Sequence, residues 1–401
     1  MASAPDPSFF AQRVDNYYRD REAPFERHLV RQCRIPAPDA VLLNGNDYLR
    51  LSNHPDIKAI HAQSISSGKT GLQMSGVFMG DDETHPKSIF ESRFADFLGF
   101  EGSVLCQSGY AANDGLIQSV ASPDIPVYVD QYAHASFQAG VNSARATLRM
   151  FRHNSPDSLL IQIKKHGQGV IAVDTIYSTQ GTEAPLAAII EIARNFDCLF
   201  IVDESHSFGT HGIEGRGLIY DYQMQSYTHF LTVSFAKTMV TRAGIVCGSL
   251  RNINYLRYNS LPAIFSSVTE PHEAIRCSAV LDVIQRADDR RERLKSNTRY
   301  LRAGLESVGY SLQGDSQIIA IHTGSEQDLI VYADALESNG VFGAPFVYPA
   351  TPLRKPIYRL SAHSELTKDE MDRVIAVCEE AKDVLPQYRK RRLKLALGSK
   401  E

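Results

Sequence analysis

The sequence predicts an α/β fold: a mostly parallel central sheet with flanking helices, followed by a smaller C-terminal α+β domain. Three observations lead there. Between about residues 41 and 250, short β-branched apolar runs alternate with amphipathic, helix-like stretches. Near residue 270 the pattern turns helical and stays so over a long span. Beyond it, two more apolar runs and one last amphipathic stretch complete the chain.

Residues 1–40 are polar and rich in Arg, Pro and Tyr, and read as an N-terminal arm of helix and loop. In the large domain, residues 41–275, strands are expected at GSVLCQS (102–108), VYVD (127–130), GVIAVDT (169–175), CLFIVDE (198–204) and HFLTVSF (229–235). Helices such as SIFESRFADFLG (88–99) and PLAAIIEIARNF (185–196) separate them. Near-continuous apolar strands joined by helical crossovers mark a parallel sheet covered on both faces. From EPHEAIRC (270–277) to about residue 309, helical periodicity runs with Gly only near the end. It predicts a long bridging helix, broken at most once, into the small domain, residues 276–401. The charge run DDRRERLK (288–295) reads as a solvated helix face. The small domain then holds SQIIAIHTG (316–324), IYRLSAHSE (357–365) and a last helix, KDEMDRVIAVCEEAKDVL (368–385).

Bulk properties narrow the class. With 401 residues the chain suits two domains or one large α/β unit. A net charge of −4 argues against nucleic acid as the main partner. The six cysteines (Cys33, Cys106, Cys198, Cys247, Cys277 and Cys378) are scattered without a C-x-x-C pair, so no metal site or disulfide framework is expected. The first residues lack the cationic and apolar pattern of a signal peptide. No uncharged apolar run reaches the roughly 18 residues of a membrane span, so a cytoplasmic protein with no integral membrane segment is expected.

Ligands of open α/β sheets bind at the carboxyl ends of the strands. The polar residues there are Ser108, Gly109, Tyr110 and Asn113; Asp130 and His134; Asp174 and Ser178; Asp203 and His206; and Ser234 and Lys237. A Ser-Gly turn opening a helix offers amides and a positive dipole end to a phosphate, and the Ser234 hydroxyl could join it. A carboxylate at a buried strand end can hold a protonated ring nitrogen, and a neutral lysine can form an imine with an aldehyde. A histidine can lie against a ring. Phosphate, pyridine nitrogen and aldehyde occur together in pyridoxal 5′-phosphate (PLP). Asp203 would keep the ring nitrogen protonated, and His206 would reach the ring's phenolic oxygen side.

The motifs GNDYLRLSNHP (45–55), QSGYAAN (107–113), YAHASFQAG (132–140), IYSTQGTEAPL (176–186), VDESHSFGTHGIEGRG (202–217) and TVSFAKT (232–238) carry a resemblance. In order and content they resemble the α-oxoamine synthases, fold-type I PLP-dependent transferases that join an amino acid to an acyl-CoA. Within that family the chain is most similar to the bacterial α-hydroxyketone autoinducer synthases of quorum sensing, through VDTIYSTQGT, AKTMVTRAG, LPAIFSS, SQIIAIHTG and ESNGVFGAPF. The resemblance implies a PLP-binding large domain with Lys237 carrying the cofactor and later acting as base. Ser108, Gly109, Tyr110 and Ser234 would face the phosphate, and His134 would stack on the ring and hydrogen-bond the thioester oxygen. Ser178 and His206 would meet the ring's oxygen side. Arg359 would grip a substrate carboxylate, and Thr351 would lie near the acyl substrate. It also implies a medium- or long-chain acyl-CoA, S-adenosylmethionine or 2-aminobutyrate as the amino substrate, and a homodimer with the active site at the interface.

Departures and alternatives remain. KTMVTRAG (237–244) puts Arg242 where the family commonly has a second glycine pair, and MSGVFMG (74–80) replaces a Ser-Arg. Both put the usual glycine or alanine co-substrate in question. No position matches a family arginine near the N-terminus that meets CoA. Asp203 could instead cap the next turn, His134 could be a core histidine, and Arg359 could serve a structural ion pair. His153 reads as structural or substrate-adjacent. The basic tail YRKRRLKLALGSKE (388–401) reads as solvated, with a membrane-surface or CoA-phosphate role as the alternative. Two other functions compete: an oxoamine synthase using glycine or alanine for cofactor or lipid synthesis, and a non-catalytic PLP-binding regulator. The presence of Lys237, and the lack of a helix-turn-helix pattern in the first 40 residues, argue against the regulator.

Overall fold

The computed structural model describes residues 6–25, 29–67, 74–78 and 82–385. The basic tail and part of the 74–80 stretch lie outside the described residues. The N-terminal helix Ser8–Arg21 has no buried residue. After it come β1 (Val41–Leu42), β2 (Gly102–Cys106), β3 (Pro126–Asp130), β4 (Thr147–Phe151), β5 (Val170–Asp174), β6 (Leu199–Asp203), β7 (Phe230–Ser234) and β8 (Gly244–Gly248). The last seven form one sheet in the order β2-β8-β7-β6-β5-β3-β4, and only β8 runs antiparallel to its neighbours. The five strands expected from sequence are all present, and their residues are almost wholly buried.

Two strands of this sheet were not expected. β4 is a half-exposed edge strand whose residues do not form an apolar run. β8 follows β7 after only the turn at residues 235–243, too short for the helical crossover that a parallel strand needs, so it returns antiparallel.

The helical stretch after residue 270 is broken once. Helix Pro271–Gln285 ends at Arg286, and helix Asp288–Ser307 starts after Ala287. Arg291, in the charge run, is buried rather than solvated. Its guanidinium donates to the carbonyl of Ile284 at 2.7 Å and pairs with Asp288 at 2.6 Å, so it caps the first helix and braces the second. Asp288, Asp289, Glu292, Arg293 and Lys295 are exposed as expected, whereas Leu294 is buried and Arg290 is half-buried, donating to the Leu49 carbonyl.

The C-terminal part contributes β9 (Ile318–His322), β10 (Val341–Phe342), β11 (Ala344–Phe346) and β12 (Ile357–Ser361). β11, β12 and β9 form an antiparallel sheet, and β10 pairs in parallel with β1. Residues just after β1 continue this weaving: Ser361 donates to Leu43, and Ser364 to Tyr48, each through its backbone amide. No described helix is long and apolar enough to cross a membrane.

Under the C-terminal ends of the large sheet lies an aromatic cluster. Phe235 packs on Phe90 and Phe94 with ring centres 5.7 and 5.3 Å apart, and Phe94 packs on Phe208 at 5.1 Å. Phe208 sits two residues after His206, and Phe235 two before Lys237, so one apolar cluster anchors both polar loops. Such aromatic pairs each add about 0.5–1.5 kcal/mol beyond burial.

Glu204 follows Asp203 but turns into the protein. It is fully buried, one oxygen accepts the Ile219 amide at 2.8 Å, and the other finds no hydrogen-bond partner. Burial pushes its carboxyl up to about 8. Raised above the ordinary 4.5 of an unfolded glutamate, this group adds stability that is full below pH 4.5 and is lost as pH rises through 8. Glu204→Gln removes that slope. Its melting temperature should therefore fall less between pH 5 and pH 8 than the wild-type value does; equal slopes would show that Glu204 ionises normally.

Candidate active site

The ends of β6 and β7 and the start of helix Gly109–Val120 meet in a cleft lined by Gly109, Tyr110, Asn113, His134, Asp174, Asp203, Ser205, His206, Ser234 and Lys237. Helix and sheet approach closely because Gly109 has no side chain: a Cβ there would sit 2.7 Å from Ser234 Cα, far inside contact distance. Ser108 caps the helix, its hydroxyl accepting the Ala111 amide at 3.1 Å. With Ala111 and Ala112 bonded back to Ser108, it is Gly109 and Tyr110 that the helix start presents to the cleft beside Ser234.

Asp203 is almost wholly buried and held at both oxygens. Oδ2 accepts from the Asn113 amide at 2.7 Å, and Oδ1 from the Ser205 backbone at 2.8 Å. Asn113 also donates to Ser136 Oγ at 3.0 Å and accepts from Thr232 Oγ1 at 2.7 Å, tying helix, β6 and β7 together. Ser136 in turn meets His134 Nδ1 at 2.7 Å, and its backbone amide points to the same nitrogen. With Nδ1 accepting, a neutral His134 carries its proton on Nε2. Burial, and then Lys237, lower the His134 pKa against the pull of Asp203, so the neutral ring is favoured.

Asp174 ends β5 in register with Asp203. Burial first, and the Asp203 charge second, raise its carboxyl well above the usual range, so Asp174 keeps its proton beside Asp203. His206 is buried, with Nδ1 2.7 Å from the Tyr48 hydroxyl and its carbonyl accepting from Gln317 at 2.8 Å. Burial, then Lys237 and Arg359, drive its pKa well below the ordinary value. Burial lowers Lys237 as well; Arg359 adds to the effect and Asp203 opposes it.

The structure thus brings Gly109, Tyr110, His134, Asp203, His206, Ser234 and Lys237 to one cleft, with Ser108 at its rim as the cap. Ser178, Arg359 and Thr351 lie outside that lining. Arg359, on β12, donates to the Ser178 carbonyl at 2.8 Å and to Asn46 Oδ1 at 2.9 Å, and lies over the Phe346 ring at 4.7 Å. Its buried Nε has no partner, and neither has the buried hydroxyl of Thr351. His153 bridges Asp130 (2.9 Å) and Thr182 (2.8 Å) between the rings of Tyr132 and Tyr177, a bracing position outside the lining.

Sequence reasoning noted Asn113 and Asp174 at strand ends but gave them no role, and it missed Ser205, Ser136 and Tyr48. Tyr48, Ser205 and Ser136 all lie inside the motifs that carry the family resemblance, which were the signal that could have found them.

The profile of the aminotransferase class I and II family matches residues 38–377. The CAI-1 autoinducer synthase of Vibrio campbellii is 41% identical over 379 residues, which is 94% of this chain and 96% of that one. The 8-amino-7-oxononanoate synthase 1 of Bacillus velezensis is 27% identical over 86% of this chain and 89% of its own. Among solved structures, a variant of the serine palmitoyltransferase of S. paucimobilis with bound PLP superposes with a TM-score of 0.82 at 25% identity, covering 93% of this chain and 96% of that chain.

Asn113→Ala removes the side-chain donor from Asp203 Oδ2 and leaves that buried oxygen unpaired. It should cost about 1–3 kcal/mol in urea unfolding. A loss under about 0.5 kcal/mol would place water, not Asn113, as that oxygen's partner.

Proposed function

The chain belongs to the aminotransferase class I and II family and is a PLP-dependent enzyme of the α-oxoamine synthase type; from that premise we propose that it joins a medium- or long-chain acyl-CoA to an amino-acid-type substrate, S-adenosylmethionine or 2-aminobutyrate. The product would be an aminoketone or enaminone, the precursor of an α-hydroxyketone autoinducer. The observation that carries this reading is the relatedness to the CAI-1 autoinducer synthase over nearly the whole of both chains. The more distant likeness to an 8-amino-7-oxononanoate synthase favours the second reading, an enzyme using glycine or alanine.

The cleft's own chemistry fits PLP. An anion can settle on the helix start at Gly109 and Tyr110, where the approach to Ser234 is open only because residue 109 has no Cβ. Asp203 is already held by two donors and faces the cleft, ready to pair with a ring N–H. When bound, PLP supplies an aldehyde that carries the amino substrate and a ring that withdraws electrons from it.

The remaining work falls to the chain. Asp203 would hold a proton on the ring nitrogen, since an adjacent anion favours the charged form. Lys237, depressed by burial, is more readily neutral than a surface lysine and so serves as general base at the substrate's α-position. His134 is neutral and carries its proton on Nε2, so it is equipped to hydrogen-bond the thioester oxygen as charge develops there. His206, in the cleft, would meet the ring's oxygen side, and Ser178, outside the lining, would approach it from the loop that holds Arg359. Arg359, preset by Ser178 and Asn46 with Nε still free of a partner, orients the amino substrate's carboxylate. Thr351, whose own buried hydroxyl has no partner, would border the acyl substrate.

A homodimeric, cytoplasmic enzyme completes the reading. Phe78, at the end of the short helical segment Gly76–Phe78, and Phe265, just after helix Leu261–Ile264, are 75% and 81% exposed near the Ser75–Ser267 bridge, an apolar surface suited to a second copy.

The test is the absorption spectrum of purified wild type and Lys237→Ala, each given S-adenosylmethionine or 2-aminobutyrate and then decanoyl-CoA. Wild type should show a protein-bound cofactor band near roughly 420 nm and release free CoA when both substrates are present. The variant should lack that resting band and release no CoA. CoA release only with glycine or alanine would move the assignment to the second reading; no band after PLP is added would sink both.

A further inference from the structure

The turn that carries Lys237 rests on an unfavourable backbone state. Residues 235–243 link β7 to β8 and are closed by three backbone bonds, Phe235 to Ala243, Thr241 to Phe235 and Val240 to Lys237, each at 2.9 Å. Val240 stands three residues after Lys237 with φ at +42°. In this left-handed region a β-branched side chain crowds its own backbone, and valine avoids it unless its surroundings leave no alternative.

Those surroundings centre on Arg276 of helix Pro271–Gln285. Its Nη2 donates to the Val240 carbonyl at 2.9 Å, and its Nε to the Thr241 hydroxyl at 3.2 Å. The third nitrogen, Nη1, meets His61 Nδ1 at 3.0 Å from helix Pro55–Ser66. His61 in turn stacks on His272, with ring centres 5.9 Å apart. All three guanidinium nitrogens are thus engaged. The planar fork grips two consecutive residues of the turn, which fixes the direction of the Val240 carbonyl as well as its place. Arg276 does not line the cleft, so whatever it does for the site passes through the turn. Arg242, the arginine within the turn, is exposed.

We infer that Arg276 is a positioning residue for Lys237: it clamps Val240 and Thr241 so that the turn keeps its left-handed residue and the lysine stays aimed into the cleft. This rests on Lys237 being the cofactor-bearing lysine. Without the clamp, Val240 relaxes to negative φ, and the backbone between residues 237 and 241 re-aims the side chain.

The experiment compares holoenzyme of wild type, Arg276→Gln, and Arg276→Gln combined with Val240→Gly, using Arg276→Lys if the glutamine variant does not fold. Hydrogen exchange of the 235–243 peptide and steady-state kinetics are both measured. Arg276→Gln should speed exchange in that peptide at least about tenfold while peptides of β5 and β6 keep their rates. It should lower kcat at least about tenfold with KM for both substrates within about twofold. Adding Val240→Gly should recover part of kcat, because glycine takes positive φ without help. Unchanged exchange, or a loss of kcat that follows a chain-wide fall in melting temperature and is not recovered by glycine, overturns the inference. A Lys237→Ala control that keeps the bound-cofactor band would overturn the lysine's assigned role, and the positioning claim with it; the exchange and rescue results would still report on the Arg276–Val240 coupling.

Discussion

Burying a carboxylate at the end of a parallel strand sets the terms for everything around it. Asp203 has almost no water, so each oxygen must find a donor within the protein. The solution recruits Asn113 from the adjacent helix and the Ser205 amide from the following turn, and Asn113 then ties in Thr232 of β7 and Ser136 near His134. Three elements are locked by one side chain. The same demand limits the neighbours: a second anion beside Asp203 would be repelled, and Asp174 stays protonated for that reason together with its burial. His134 and His206 are held neutral by burial and by the cations Lys237 and Arg359. Within the cleft, Asp203 and Lys237 stand among groups that burial keeps uncharged, while Arg359 acts from outside the lining.

The polar loops owe their places to apolar contacts. Phe208 and Phe235 belong to the loops of His206 and Lys237, yet both point away from the cleft into the cluster with Phe90 and Phe94. Both segments are turns rather than extended strands, so residues two apart can face opposite ways, and the residue that lines the cleft and the residue that anchors its loop are near neighbours in sequence. The Lys237 turn adds a second anchor from the opposite side, through Arg276.

Much of this was legible in the sequence. The five buried parallel strands announced themselves as apolar runs, and the polar residues at their ends named most of the cleft, because a buried strand end tolerates polar groups only where something engages them. Lys237, Asp203, His134 and His206 were readable on those grounds, and the family resemblance pointed to the same residues. What escaped has physical causes. β8 was hidden because its antiparallel direction comes from a short connection, not from its own pattern. The buried role of Arg291 was masked by charged neighbours that do face solvent. Ser205, Ser136 and Tyr48 act by hydrogen bonds to other side chains, and only the folded arrangement shows which partners they meet. Val240 looked like an ordinary apolar residue; its positive φ depends on an arginine 36 positions away.

The parallel pairing of Val41–Leu42 with Val341–Phe342 has a consequence for biogenesis. Asn46 and Tyr48, just after the first of these strands, orient Arg359 and meet His206. The β1–β10 pairing and the Asn46–Arg359 bond must wait until β10 and β12 have been synthesised, whereas the Tyr48–His206 bond needs only the chain through residue 206. The large sheet can assemble while synthesis continues, but the pairing of β1 with β10 and of Asn46 with Arg359 is a late, long-range closure, the class of contact that slows folding most. Nascent chains therefore pass through a stage with the large sheet formed and this closure missing, in which β1 and Asn46 still lack the partners that β10 and β12 supply later.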